Sequence, residues 1–259
     1  MDPDSREAGI ARIVALGELG ELGERYGLPP SAIGRLDVLL DLLLHDPHAP
    51  TAIRARRKAL DDHLADSLVA LELPAVRNAT AAADIGSGAG LPGLALAIAL
   101  PETRFALLES AARKCAFLRR AVAVSEVPNA TVVHARAESW PEGIGRHDLV
   151  TARAVAALDV VAEYAAPLLR VGGTLVAWRG RRDPRAETAA ARAAEQLGLG
   201  PPEVRVVQPY EAAEHRHLYL MSKVMETPSA FPRRPGMALK RPLGSGSSST
   251  VTRSDRVSR

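Results

Sequence analysis

Cysteine is nearly absent. Cys115 is the single one among 259 residues, so no internal disulfide can form and a reducing compartment, the cytoplasm, is expected. Beside Phe117 and Leu118 on a predicted helix, it reads as a packing residue rather than a nucleophile. Aromatic residues make up 3% of the chain, which leaves few platforms for stacking bases, so Trp140 and Trp178 read as core or rim packing. The apolar runs 36–44 and 94–100 are too short or too interrupted to cross a bilayer, and Met1-Asp2-Pro3-Asp4 is no basic-then-apolar leader; no membrane association is expected. His215 and His217 have no cysteine or acid to complete a ligand set, so no metal is expected. Charge of one sign is scarce except at the end of the chain. The net charge is +3, but residues 228–259 hold seven Arg or Lys and one Asp, so residues 1–227 carry −3. Such a tail fits a phosphate contact or a solvated extension.

What is present centres on Asp84-Ile-Gly-Ser-Gly-Ala-Gly-Leu-Pro-Gly93. A short apolar run ending in Asp84-Ile85 predicts a buried strand, the glycines allow a sharp turn, and 94–100 begins a helix. Strand, glycine loop and helix start gather N–H groups where a carboxylate, ribose or phosphate can bind. Gly88, Gly90 and Gly93 also satisfy the dinucleotide spacing, whereas an acid two residues before Gly86 is the form of class I S-adenosylmethionine (AdoMet) methyltransferases. No Gly-Lys-Ser/Thr follows, which excludes a P-loop. The next predicted strand, 104–109, ends in Glu109, where an acid can bond both ribose hydroxyls; both cofactors contain such a ribose.

Residues 1–80 read as a helical region. Pro29-Pro30-Ser31 predicts a helix start capped by Ser31, followed by the stripe Leu36, Leu39, Leu40, Leu43 and Leu44. A second helix over 56–71 aligns Leu60, Leu64, Leu68 and Leu71, and Arg54, Arg56, Arg57 and Lys58 read as a solvated basic face. From 81 to 227 strand and helix alternate. Strands are expected at 81–85, 104–109, 131–135, 147–151, 174–178, 203–207 and 216–224, with helices at 111–125, 156–169 and 185–197 among them. The fold class is therefore α/β, a mostly parallel, doubly wound seven-stranded sheet that binds ligands at the carboxyl ends of its strands. Residues 228–259 form a basic tail, expected to be disordered from Leu243 onward.

Arg136-Ala137-Glu138 closes the third strand and Arg153 the fourth. In an AdoMet fold the first position lies beside adenine and the second beside the transferred methyl. Enzymes methylating exocyclic amines usually carry Asn/Asp-Pro-Pro-aromatic at the fourth strand; Thr151-Ala-Arg-Ala154 stands here, and no Pro-Cys nucleophile occurs. An acceptor that is already nucleophilic, such as guanine N7, would need positioning rather than proton removal. A small-molecule methyltransferase and a non-catalytic RNA-binding module on the same fold stay open at this point.

Asp84–Gly93, Leu107-Leu-Glu-Ser110 with Arg113-Lys114 and Phe117-Leu-Arg119, Arg136-Ala-Glu138 and Thr151-Ala-Arg-Ala154 together resemble the RsmG family, also called GidB. His63-Leu-Ala-Asp-Ser-Leu68, Phe231-Pro-Arg-Arg-Pro-Gly236 and Lys240-Arg-Pro-Leu243 are similar to that family too, so the resemblance spans about 35–243. It implies methyl transfer from AdoMet to N7 of guanine 527 in the 530 loop of bacterial 16S rRNA, by a monomer acting on the rRNA or the 30S subunit. It also implies cofactor contacts at Gly86, Leu91, Ala137, Glu138 and Arg153, a ribose role for Glu109, and support from Asp84 and Gly88 in the loop. Arg153 and Arg136 become the catalytic candidates, and Arg113, Arg179, Arg233, Arg234, Lys240 and Arg241 the RNA-binding ones. The chain departs from the family at Leu43-Leu44 and Ala49-Pro-Thr51, where Trp-Asn and Asn-Leu-Thr are usual. Arg179 replaces a common lysine, and Glu109 a more frequent Asp.

Overall fold

A computed structural model describes residues 17–245; the remainder of the tail expected to be disordered, 246–259, lies outside the described residues, as does Met1–Asp4. Helical residues 17–26 (α1) precede α2, Pro30–His45. Pro29 is the cap residue and Pro30 the first helical one, so Ser31 lies inside the first turn and is not the cap: proline's fixed φ starts the helix in place of a side-chain bond. The second predicted helix is continuous over 56–72 (α3) but changes pitch, with a wide π-helical stretch at Leu60–Ala65 and a tight end at Val69–Glu72. A short α4 follows, Pro74–Arg77.

The alternating part contains β1 (Ala81–Ile85), α5 (Gly93–Ala99), β2 (Arg104–Glu109), α6 (Ala112–Val124), β3 (Ala130–His134) and β4 (His147–Arg153). Then come α7 (Leu158–Ala165), β5 (Leu169–Arg179), α8 (Pro184–Leu197), β6 (Glu203–Val206), β7 (His217–Ser222) and a short α9 (Met237–Lys240). Helix α7 is shorter than expected, and β5 starts earlier, because Pro167 cannot continue a helix and the chain then pairs Leu169 with His147.

The sheet order is β3-β2-β1-β4-β5-β7-β6. Six strands share one direction and only β7, between β5 and β6, runs antiparallel to them, the mostly parallel seven-stranded arrangement that the alternation predicts. Side chains alternate between two cores, as a period of two requires. Ala82, Phe105, Leu107, Leu149, Val176 and Leu218 face one core, which also contains α1 to α3 with Leu94 of α5 and Phe117 of α6; the N-terminal helices are thus one layer of the main fold. Ala83, Ile85, Leu108, Val150, Leu175 and Tyr219 face the other, under α7 and α8.

Part of the basic tail belongs to that second core. Phe231 and Leu243 pack against it and Ala238 is buried in it. Leu243–Ser245 form a helical turn, with Gly244 so close to α8 that a Cβ there would lie 2.5 Å from the Ala189 side chain; disorder does not begin at Leu243. Among the described residues no helix is long and apolar enough to cross a membrane.

Candidate active site

The glycine loop stands at the carboxyl end of β1, between β2 and β4. Gly86 adopts φ +67°, and a Cβ on it would meet Val155 at 2.9 Å, so bare backbone is required where the loop meets the β4–α7 connection. Gly93 is needed for a different reason: its Cβ would lie 2.5 Å from Cβ of Asp84. The loop is held from β2, where the Ser87 amide donates to the Leu108 carbonyl at 2.9 Å. The Glu109 carboxylate accepts from the amides of Gly88 at 3.1 Å and Ala111 at 2.8 Å. That leaves acceptor capacity for hydroxyl groups, since an ionised carboxylate has about four lone-pair positions.

Asp84 lies beneath the loop, fully buried. Parallel register sets it opposite Thr151, whose hydroxyl donates to its Oδ1 at 2.7 Å. Its Oδ2 is buried with no hydrogen-bond partner. Burial pushes this carboxyl up to about 6, against the opposing pull of the Thr151 bond. Leu91 is packed in the first core under the loop.

Two cavities open at the strand ends. The smaller, about 160 Å³, is lined by Gly86, Leu108, Arg136, Ala137, Glu138 and Tyr164, among others. The larger, about 430 Å³, lies between α3 and the ends of β4, β5 and β7, and Arg153, Arg179 and Arg216 all reach it. Consecutive residues divide them: Arg153 and Ala154 face the larger, Val155 and Ala156 the smaller. At this partition Ala154 holds φ +56°, a left-handed backbone uncommon for a residue with a Cβ and a feature that concentrates at functional sites.

The larger cavity is organised by two aspartates of α3. Arg153 donates to Asp66 Oδ2 at 2.8 Å and to the Asp62 carbonyl at 3.2 Å. Arg216 pairs with Asp66 Oδ1 and Asp62 Oδ1, both at 3.3 Å. Tyr210 donates to Asp62 at 2.6 Å, Lys58 pairs with the same carboxylate, and Trp178 donates to the Asp66 carbonyl at 2.6 Å. Burial, aided by the Arg153 charge, pushes His63 down to about 4, so it is neutral at physiological pH; its Nε2 lies 2.8 Å from the Thr51 hydroxyl. Arg179 donates to the Ala156 carbonyl at 2.6 Å, tying the partition to β5. The basic group read as a solvated face is largely ion-paired: Arg56 with Asp37, Arg57 with Asp61 and Lys58 with Asp62.

The remaining predicted residues are distributed unequally. Arg136 and Arg113 are exposed near the rim and on α6, and Arg234, Lys240 and Arg241 are exposed on the C-terminal segment. Arg233 differs from them: it makes a bidentate bond to Glu163, whose side chain is 3% exposed, and is committed to holding the tail on α7. The Glu138 carboxylate accepts from the Gly236 amide at 3.0 Å. Cys115 donates its thiol to the Glu109 carbonyl at 3.2 Å, which agrees with a packing role. His217 contacts the Gly180 carbonyl at 2.7 Å, and no cluster of three metal-ligating side chains occurs among the described residues. Sequence reasoning missed Asp62, Asp66 and Arg216 as site residues, along with Ala154, Val155 and Leu239. A signal existed for the aspartates, which lie four apart on α3 across from the Leu60, Leu64 and Leu68 stripe.

The smaller cavity combines apolar walls with a carboxylate. Leu108, Val155 and Ala156 supply apolar walls, Glu138 lines it, and the Glu109 carboxylate is fixed on the adjoining loop by Gly88. The sheet order is that of the class I methyltransferase fold, and the family match that follows makes the chain an AdoMet-dependent methyltransferase. A family model described as rRNA small subunit methyltransferase G, GidB, matches residues 46–218, and the chain belongs to that family. It is 39% identical over 228 residues to the ribosomal RNA small subunit methyltransferase G of Moorella thermoacetica, covering 83% of this chain and 92% of that one. To the protein of the same name from Thermotoga neapolitana it is 36% identical, covering 87% and 96%. Among solved structures, a SAM-dependent O-methyltransferase from Thermotoga maritima shares the fold at TM-score 0.53 and 13% identity, covering 73% of this chain and 72% of that one. A SAM-dependent methyltransferase from Aquifex aeolicus does so at 0.51 and 13%, covering 64% and 93%.

Proposed function

We propose that this methyltransferase acts on N7 of guanine 527 in the 530 loop of bacterial 16S rRNA, working in the cytoplasm as a monomer on the rRNA or the 30S subunit. AdoMet supplies an electrophilic sulfonium methyl. Asp84, Gly86, Gly88 and Leu91 form its loop, Glu109 accepts from the ribose hydroxyls, and Ala137 and Glu138 recognise the adenine edge. The larger cavity receives the acceptor base.

The observation that carries this reading is a cavity rich in cations in which both carboxylates and His63 are unsuited to act as general bases and His217 is engaged with the Gly180 carbonyl. Asp62 and Asp66 are both ion-paired, and His63, held down at about 4, is too weak a base to deprotonate an amine or hydroxyl near neutral pH. Guanine N7 presents a lone pair and no proton, so it needs only orientation. Arg153, fixed by Asp66 beside the partition, orients the base and acts as the principal catalytic residue, with Arg136 organising the cofactor side. Arg113 and Arg179 meet the RNA around the cavity, and Arg234, Lys240 and Arg241 grip phosphate.

Mapping of N7-methylguanosine by borohydride and aniline cleavage, followed by primer extension on 16S rRNA, tests the assignment. A stop in the 530 loop should vanish on deletion of the gene and return with the wild-type copy. Complementation by Arg153→Ala should leave the stop absent, with kcat reduced by about 100-fold or more in vitro and the circular dichroism spectrum unchanged. A stop that persists in the deletion would exclude the rRNA target and turn attention to a small-molecule acceptor.

A further inference from the structure

The C-terminal segment borders the smaller cavity and is anchored before and after the residues that reach it. Upstream, Arg233 clamps the segment to Glu163 of α7 and donates to the Arg241 carbonyl at 2.9 Å, closing the chain between them into a loop. Within that loop Ala238 is 2% exposed in the second core. Downstream, Gly244 abuts Ala189 of α8. Two contacts between these anchors reach the cavity: the Gly236 amide donates to Glu138 at 3.0 Å, and Leu239 is one of the lining side chains.

Each contact has a consequence for a ligand. Glu138 is half-buried, and binding one oxygen to a backbone N–H limits carboxylate rotation and aims the other oxygen. Leu239 is 57% exposed, an apolar side chain at a cavity rim that gains burial only if something apolar enters beneath it. With the segment in place the cavity measures about 160 Å³, below the roughly 300–1,000 Å³ typical of small-molecule sites, so the position of the segment bears directly on how much of a nucleoside can be covered.

We propose that residues 233–241 are a strap that forms the outer wall of the cofactor site, Gly236 positioning Glu138 and Leu239 closing over the adenine. The inference rests on the reading that places adenine beside Glu138. Cofactor and strap are then thermodynamically linked: a ligand held under the strap stabilises its closed form, and weakening the closed form weakens the ligand.

Trypsin digestion of the full chain followed by mass spectrometry reads this linkage. Saturating S-adenosylhomocysteine should slow cleavage after Arg233 and Lys240, the two basic residues of the strap that no proline follows, by about 5-fold or more, relative to cleavage after exposed Arg146 at the opposite end of the sheet. In calorimetry Leu239→Ala should raise the Kd for S-adenosylhomocysteine by roughly 5- to 30-fold without moving the urea unfolding midpoint of the apo protein. Unchanged strap cleavage, or unchanged affinity in Leu239→Ala, with ligand demonstrably bound, would overturn the proposal. Glu138→Gln separates the two levels. If it weakens binding while Leu239→Ala does not, the strap alone is refuted; if it leaves the Kd at the wild-type value, the adenine assignment fails and takes the strap with it.

Discussion

Asp84 shows how one residue can serve the cofactor loop at the expense of stability. Its carboxyl is held near 6 by burial, against an ordinary 3.8, so above pH 6 the native state carries a charge that the unfolded chain would hydrate at lower cost. Between those values the native state binds a proton that the unfolded chain has lost, so this site makes stability fall as pH rises. His63 works the other way. Held at about 4 rather than 6.5, it leaves the native state short of a proton in that interval, and its contribution to stability is lost as pH falls. The two slopes oppose each other over much of the same range. Asp84→Asn, which removes the charge and keeps an acceptor for Thr151, should raise apo stability at pH 7 by about 1–3 kcal/mol. The variant should lose stability more steeply than wild type between pH 6.5 and 4, where the His63 slope is left uncompensated. Urea denaturation across a pH series checks both expectations, and calorimetry should show weaker AdoMet binding in the same variant.

At the scale of elements, two segments distant in sequence are brought to the strand ends. Helix α3 meets β4 through Asp66 and Arg153, which are 87 residues apart, and the strap meets α7 through Glu163 and Arg233, 70 apart. Both are partly or fully buried charge pairs, for which breaking one partner costs more than replacing both. Arg233→Met strands the Glu163 carboxylate and should destabilise the protein by about 3–5 kcal/mol, whereas Arg233→Met with Glu163→Leu should recover most of that loss. Equal urea midpoints for the single and double variants would count against a desolvated pair. The wide turn at Leu60–Ala65 belongs to the same design, since it lies where α3 carries Asp62 and His63 to the larger cavity while keeping Leu60 and Leu64 in the core.

Over the whole molecule the charge is divided along the chain. Arg153, Arg179 and Arg216 line the larger cavity at the strand ends and Arg234, Lys240 and Arg241 are exposed on the C-terminal segment, while residues 1–227 are net negative. An RNA held on these cations releases counterions in proportion to the phosphates contacted. Replacing Arg234, Lys240 and Arg241 together by Ala should therefore reduce the slope of log K against log salt by up to about 2, measured by filter binding with a 16S rRNA fragment. These substitutions leave the Arg233 anchor in place, so they test RNA contact without dislodging the strap. A deletion of the tail would remove both at once.

The sequence by itself determined the α/β alternation, the glycine loop and the family. Those signals are local: Asp84 to Gly93 is one contiguous stretch, and strand and helix periods are written in neighbouring residues. It also marked Glu109, Arg136, Glu138 and Arg153, because in a parallel sheet a strand's last residue has a defined place. Tertiary structure alone decided what each of these touches. The Asp84–Thr151 bond needs the β1–β4 register, the fixing of Arg153 needs α3 folded over the sheet, and the Glu138–Gly236 contact joins residues 98 apart. It divided the basic tail as well, pairing half-buried Arg233 with the buried Glu163 and leaving Arg234, Lys240 and Arg241 to solvent. Composition cannot separate four cations so close in the chain; the difference arises from which of them lies over a buried carboxylate once α7 and the strap have packed together.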